Sequence, residues 1–414
     1  MQRIRMSLPY FEENGWDAEV VTVDENYADI AKDELLLQSV PSTIKIHKVA
    51  ALNKSWTSKI GLGSIALRSL WHYRKKVNEL LKNGGYDLIY FSTTQFPVCI
   101  LGPYWKAKFK VPYVIDMQDP WHSDYYEGKP QKERPNKYWF SYHLNKFLEP
   151  IALKQVDGLI SVSDNYITDL KKRYPEIKNI PAATITFGAF APDIQIAADN
   201  ANNFPELLDP AFKNIVYIGR GGADLYKAIT PLFNALAKGL ANEPQLFKSL
   251  KFYFIGTSYA ANGHGIPTIL PLAKAHQVEN NVIEITDRIS YYHALSTLSK
   301  ANALFIPGAD DPAYTASKIY PYILTKKPLM AIFARQSSAI NILKECSKNG
   351  IVLSFDDEAN KLDYSVYDTL FKWAKNQFTP ISILKEFENY SAKNLTEKQV
   401  DLFNLTIANF KTYN

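Results

Sequence analysis

Glycine and basic residues recur just after apolar runs in the second half of the chain. NIVYIG at 214–219 is followed by Arg220, Gly221 and Gly222, then by Asp224 and Lys227 where a helical pattern begins. Gly219, Gly221 and Gly222 would let backbone N–H groups close on an anion, and the amino end of the helix adds a favourable dipole. Arg220 and Lys227 could neutralise a diphosphate. The spacing matches neither G-x-G-x-x-G nor the G-x-x-x-x-G-K-[ST] of a P-loop. A tight strand–helix turn with a solvated arginine would read the same way. The next run ends in Gly256-Thr257, and the third in Thr286-Asp287-Arg288-Ile289. The fourth, ALFIPG, leads into Asp310, Asp311, Tyr314, Ser317 and Lys318. A hydroxyl and an ammonium at a helix start can hold one phosphate, although singly they also make an ordinary cap beside a surface lysine. Four polar loops in one domain, each after a strand, would share one rim.

The first half offers carboxylates. YVIDM at 113–117 runs into Gln118, Asp119, Pro120, Trp121 and His122. Asp116 and Asp119 beside a Trp and a His could position a sugar and handle a proton. The alternative is a Pro-Trp anchor in the core with Asp119 capping a turn. Thr93, Thr94 and Gln95 would lie on the same rim, while Ser161 and Ser163-Asp164 read better as a strand end and a helix cap.

These residues need a frame, and the pattern supplies one. Strand-like runs fall at 19–23, 43–49, 88–92, 113–117, 158–163 and 183–188, then at 214–219, 251–256, 282–286, 303–308, 328–333 and 350–355. Most are short and almost wholly apolar, as parallel strands covered on both faces are. Helical stretches such as 226–240, 290–301 and 337–349 alternate with them. This is an α/β chain of two Rossmann-like, doubly wound domains that would face each other across a cleft. The boundaries read as 1–188 for the first domain, 189–213 for a linker rich in Asn, Asp and Pro, and 214–385 for the second. Residues 386–414 form a last helix that would pack back on the first domain. Residues 2–15 also read as helix, ended by Asn14-Gly15, where such a domain normally opens with a strand and a glycine-rich turn. The expectation is a start at an internal methionine with a first strand upstream; the alternative is a fold that simply begins with a helix.

Composition narrows the classes. In 414 residues, 46% apolar and 21% charged content describe an ordinary globular chain. The net charge of +5 is too thin to argue for nucleic-acid binding. Cys99 and Cys346 are far apart and have no Cys or His at ligand spacing, so a disulfide framework or structural zinc is not expected. With no signal-like start and no apolar run of spanning length, the default compartment is the cytoplasm. The amphipathic stretch 62–82, with Arg68, Arg74, Lys75 and Lys76 near Trp71 and with Lys54, Trp56 and Lys59 upstream, could rest on an anionic membrane surface. A crossover helix with one solvated face is the competing reading.

In order and spacing, these segments resemble the GT-B type retaining glycosyltransferases of the group 1, family 4-like class. RIRMSLPYFEENGWDAEVVTV is similar to that family's first helix and second strand. YDLIYFST, VPYVIDMQDPW and VDGLISVSDNYITDLKKRYP are similar to later landmarks of its amino domain. YIGRGG resembles its glycine-arginine loop, and SYYHALSTLSKANALFIPG with ASKIYPYILTKKPLMAI resembles its carboxyl-domain segments. The resemblance implies a nucleotide-sugar donor whose diphosphate meets Arg220, Lys227, Ser317 and Lys318, with Gly219, Gly221, Gly222, Thr257 and Tyr314 around the donor. It implies that Arg288 and Ile289 meet the base through backbone groups, and that Asp119 lies near the transferred sugar. Gln118 stands where many members have a histidine. The family's acidic pair would fall at Ala313 and Pro321, so Asp310, Asp311 or Tyr314 would have to take over its contacts.

The expected function is transfer of a sugar to a glycan or lipid-linked acceptor, in surface polysaccharide synthesis. No metal or other cofactor is expected, because the cations would stabilise the leaving diphosphate. Peripheral membrane contact at the inner face is a further expectation. A sugar-nucleotide epimerase of the same architecture, or a non-catalytic nucleotide-sugar-binding module, are the rival readings.

Overall fold

The computed structural model describes residues 2–28, 33–60, 63–122, 127, 130–131, 134, 138–310 and 318–413. Two compact units result. The first comprises Met1–Gly188 with Ala392–Asn414, and the second Ala189–Ser391.

All twelve runs become strands. In the first unit, β1 (Glu19–Val23) pairs in parallel with β2 (Lys45–Val49). A separate parallel sheet contains β3 (Ile89–Ser92), β4 (Tyr113–Met117), β5 (Gly158–Ser161) and β6 (Ala182–Thr184), in that order. β4 and β5 are buried along their whole length because helices cover both faces. On one face lie Trp105, Leu148, Leu153 and Leu170. On the other, Val114 and Ile160 meet Leu8 and Phe11 from the amino end and Leu395, Leu402 and Phe403 from the carboxyl-terminal helix Ala392–Tyr413. That helix comes so close that a Cβ on Gly158 would lie 2.5 Å from the Thr406 hydroxyl. The strands of this unit thus form two sheets rather than the one that the pattern suggests. Among the described residues β1 pairs only with β2, and β3 only with β4.

The second unit is built on a six-stranded parallel sheet, beside a short antiparallel pair of Ser347–Lys348 with Ser382–Ile383. The strands of that sheet are β7 (Lys213–Ile218), β8 (Leu250–Ile255), β9 (Val282–Ile285), β10 (Ala303–Pro307), β11 (Leu329–Phe333) and β12 (Ile351–Ser354). The spatial order is 12-11-10-7-8-9, the Rossmann order read from the far edge. The order reverses between β7 and β10, and ligands of such sheets collect outside the carboxyl ends of the strands there. Helices Tyr226–Asn242 and Ala359–Ala374 cover one face with Leu232, Phe233, Leu236, Leu370 and Trp373.

Segment 189–213, expected to be a linker, belongs to this unit. Its helix Pro192–Asp199 buries Asp193, which accepts hydrogen bonds from the hydroxyls of Tyr291 at 2.8 Å and Tyr292 at 2.9 Å. Asn- and Asp-rich composition masked an element whose polar residue is satisfied inside the fold. Arg68, counted with the basic face of the helix Ile65–Lys82, is also buried. Its guanidinium donates to the Leu52 carbonyl at 2.8 Å and to that of Tyr27 at 2.9 Å.

Candidate functional site

The turn after β7 is built from its three glycines. A Cβ on Gly219 would stand 2.4 Å from the Tyr217 hydroxyl, and one on Gly221 would stand 2.4 Å from the Thr268 hydroxyl. Gly222 has φ +141°, which side-chain-bearing residues rarely adopt. The expectation that Gly219 and Gly221 offer free N–H groups to an anion does not hold. The Gly219 N–H donates to the Ile255 carbonyl at 2.9 Å, and that of Gly221 to the Thr257 carbonyl at 2.8 Å. Thr257 is likewise a brace. Its hydroxyl donates to Glu284 at 2.7 Å, and Glu284 also accepts the N–H groups of Thr268, Ile269 and Leu270 at the start of a helix. Sequence gave no hint of this carboxylate, because its partners lie fourteen or more residues away.

The cations are brought together only in part. Lys318, half-buried just after the segment that follows β10, has its ammonium held below the usual pKa. Burial is the main cause, and the positive charges of Arg288 and Arg220 add to it. Three loops, after β7, β9 and β10, therefore place cations in one electrostatic neighbourhood at the carboxyl ends of the strands. The loops after β7 and β10 are joined directly, with the Asp310 N–H donating to the Asp224 carbonyl at 2.9 Å. Arg220 is paired with Asp224 four residues on, its Nη1 donating to Oδ1 at 2.8 Å and its Nη2 to Oδ2. The guanidinium of Arg288 lies over the Tyr259 ring, 4.4 Å from its centroid, and Ile289 packs against the core. Lys227 points elsewhere. Exposed on the helix Tyr226–Asn242, its ammonium lies 6.0 Å from the ring centroid of Phe355, beyond the end of β12. The expectations for Asp311, Tyr314 and Ser317 lie outside the described residues.

In the first unit, Asp119 lines a pocket of about 620 Å³. Thr94, Gln95, Phe96, Ser141 and Asn145 contribute to its walls. Burial raises the Asp119 carboxyl above its usual pKa. Trp121 is the anchor of the loop: it is buried, stacked on Phe96 with centroids 5.5 Å apart, and donates to Asn145 at 3.2 Å. His122 lies 3.2 Å from the fully buried Glu149, which also accepts from Arg173 at 2.5 Å and from the Tyr174 hydroxyl at 2.8 Å. Glu149 was legible as the single carboxylate in the apolar run FLEPIAL, but not as the clamp on this loop. Asp116, paired with Asp119 in the sequence reading, is instead fully buried. It accepts from Arg3 at 2.8 Å and from Gln118 at 2.7 Å, so Gln118 faces inward too. Ser161 braces β4 through the Met117 carbonyl at 3.1 Å, and Asp164 accepts from the Thr184 hydroxyl.

Among the described residues no group of three or more His, Cys, Asp or Glu side chains could hold a metal ion. No helix there is long and apolar enough to cross a membrane.

No protein-family model matches the chain, and no curated protein sequence does. Solved structures do match over nearly the whole length. The trehalose-6-phosphate phosphatase N-terminal domain of Candida albicans is 13% identical, with a TM-score of 0.52 over 98% of this chain and 94% of that one. A glycosyltransferase from Rickettsia africae is also 13% identical, with a TM-score of 0.50 over 99% and 94%. At such identity the likeness is one of fold. The fold is that of the GT-B glycosyltransferases, with two Rossmann-like α/β units.

Proposed function

We propose that the chain is a glycosyltransferase that takes a sugar from a nucleoside-diphosphate donor. The observation that carries this reading is the group of Arg220, Arg288 and Lys318, which follow the carboxyl ends of β7, β9 and β10 in the sheet of the second unit. A half-buried ammonium near like charges costs free energy, and a diphosphate offsets that cost. As the glycosidic bond breaks, negative charge builds on the departing diphosphate, so these cations would stabilise the transition state more than the ground state. That supply of positive charge supports a reaction without a metal cofactor. Lys227 is assigned at most a peripheral part, given its direction. Tyr314 and Ser317 remain candidates for donor contacts by sequence position alone.

The pocket at Asp119 is assigned to the acceptor, a glycan or a lipid-linked sugar. The ionised form of a carboxyl group whose pKa is raised is a stronger base toward an attacking hydroxyl, and the side chains of Thr94, Gln95 and Ser141 can hydrogen-bond sugar hydroxyls.

The test is calorimetric titration of UDP, GDP and ADP, followed by radiolabelled transfer from the sugar of whichever binds. Arg220→Ala and Lys318→Ala are each expected to weaken nucleotide binding by about 1.5–3 kcal/mol, the range for hydrogen bonds to charged groups. Unchanged binding in both variants overturns the site, and tight binding without transfer to any acceptor overturns the activity.

A further inference from the structure

Tyr104 lies half-buried on the helix Leu101–Phe109 of the first unit and lines no part of the pocket at Asp119. Its oxygen meets only donors among the described residues. The Lys108 ammonium donates to it at 3.0 Å from one turn further along the same helix. The Asn78 amide donates to it at 3.0 Å from the helix Ile65–Lys82. Chemistry fixes the orientation of that amide. The indole N–H of the buried Trp105 can only donate, and it meets the other end of Asn78 at 3.1 Å, so that end is the oxygen. The Arg74 guanidinium lies over the Tyr104 ring, 4.2 Å from its centroid. Glu79, the one carboxylate on either helix, pairs with Lys76 at 3.1 Å instead.

Two positive charges and an oriented amide favour the phenolate over the phenol. Lys108 first, then Arg74 and Asn78, push the Tyr104 hydroxyl down from the usual 10 to about 8. About half of such a side chain is ionised at a pH near 8, against about one part in a hundred for an ordinary tyrosine. The obstacle to tyrosine as a nucleophile near neutral pH is its proton, and here the surroundings displace it without a base. They also select the electrophile. Arg74 and Lys108 are both exposed beside the oxygen, so they attract a reagent with an anionic leaving group. An acyl phosphate has that form, with a carbonyl carbon already activated and a phosphate that two cations can receive as it departs.

We propose that Tyr104 is a site of covalent O-acylation that takes acyl phosphates, with Arg74 and Lys108 receiving the phosphate. The phenolate oxygen attacks the carbonyl carbon and forms a new C–O bond. The bond from that carbon to the phosphate oxygen breaks, and its electron pair leaves with the phosphate. Nothing is oxidised or reduced, and ionised Tyr104 has no proton to lose. The product is an aryl ester. This chemistry goes beyond the glycosyl transfer proposed above and does not depend on it.

The experiment treats the full chain with acetyl phosphate at a pH of about 8 and maps acetylated residues by peptide mass spectrometry. Hydroxylamine separates the products, since it cleaves an aryl ester and leaves acetyl-lysine intact. Tyr104 is expected to be labelled about fivefold or more faster than Tyr364, an exposed tyrosine of the second unit, because lower basicity offsets only part of the gain in phenolate. That ratio should fall toward one as the pH is raised to about 10, where an ordinary tyrosine ionises as well. Arg74→Ala with Lys108→Ala should bring Tyr104 down to the rate of Tyr364, at an unchanged thermal midpoint. Tyr104→Phe should remove the hydroxylamine-sensitive label from its peptide. With N-acetylimidazole, which carries no anionic leaving group, the preference for Tyr104 should shrink. Equal labelling of Tyr104 and Tyr364 in the wild-type chain overturns the proposal, as does full labelling in the folded double variant. An equal preference with both reagents overturns the assignment to acyl phosphates.

Discussion

Arg220 and Asp224 meet fork to fork, one guanidinium against both oxygens of one carboxylate, four residues apart at the start of a helix. The pairing holds the Asp224 carboxyl below its usual pKa. A diphosphate that recruits Arg220 has to share this guanidinium or displace Asp224. Asp224→Asn is therefore expected to tighten nucleoside-diphosphate binding roughly two- to fivefold, the scale of a partly exposed ion pair. Calorimetry decides, and a weaker complex would mean that Asp224 aims Arg220 instead of competing for it.

Lys318 gives a signature of its own. Burial first, then Arg288 and Arg220, lower its pKa in the folded chain. A bound diphosphate sets negative charge against that of Arg288 and Arg220 and so raises the Lys318 pKa, and binding on the alkaline side of neutrality should draw a proton from the buffer. Titrations in two buffers with different heats of ionisation measure that uptake, and Arg288→Ala should reduce it. The sign for stability follows as well. A depressed lysine pKa costs stability while the group is charged, and the cost fades as pH rises through the folded value. Lys318→Met should raise the thermal midpoint at neutral pH while it weakens nucleotide binding.

Asp119 has the opposite chemistry and an equally definite sign. Its pKa is raised by burial, so the fold favours the protonated form. Stability from this group is present below the unfolded pKa of about 3.9 and is lost as pH rises through the folded value. Asp119→Asn should raise the thermal midpoint at neutral pH, and the gain should shrink in acid. Nucleotide affinity should stay near wild type while turnover falls. Loss of both would make Asp119 a structural cap.

Arg3 and Asp116 test the architecture. Arg3 donates to the buried Asp116 at 2.8 Å and to the carbonyls of Ile185 at 2.6 Å and Thr186 at 3.1 Å. Arg3→Met leaves a buried carboxylate without its counter-charge, a change that typically costs about 3–5 kcal/mol. Denaturant unfolding should show that loss. Asp116→Asn in the Arg3→Met background should recover part of it, because the unpaired charge is then gone.

The sequence by itself determined the alternation of twelve strands with helices, because strands covered on both faces must be apolar along their length and so announce themselves locally. It also determined that the turn after β7 needs glycine, and that cations follow several strands. Local pattern could not say what those groups bond to. The N–H groups of Gly219 and Gly221 are taken by carbonyls at the end of β8, Thr257 braces Glu284, and Lys227 turns toward Phe355. Each of those partners is remote in sequence and becomes a neighbour only through sheet order. The same holds for Asp116 and Asp119, three residues apart. One is sealed against Arg3 and the other opens into a pocket, since β4 ends between them. Tertiary structure decided as well that the segment after Gly188 folds into the second unit, where two tyrosine hydroxyls satisfy Asp193, and that Arg68 is buried while Trp71 is exposed. Which face of an amphipathic helix is covered depends on the neighbours that pack against it, and those are chosen by the fold.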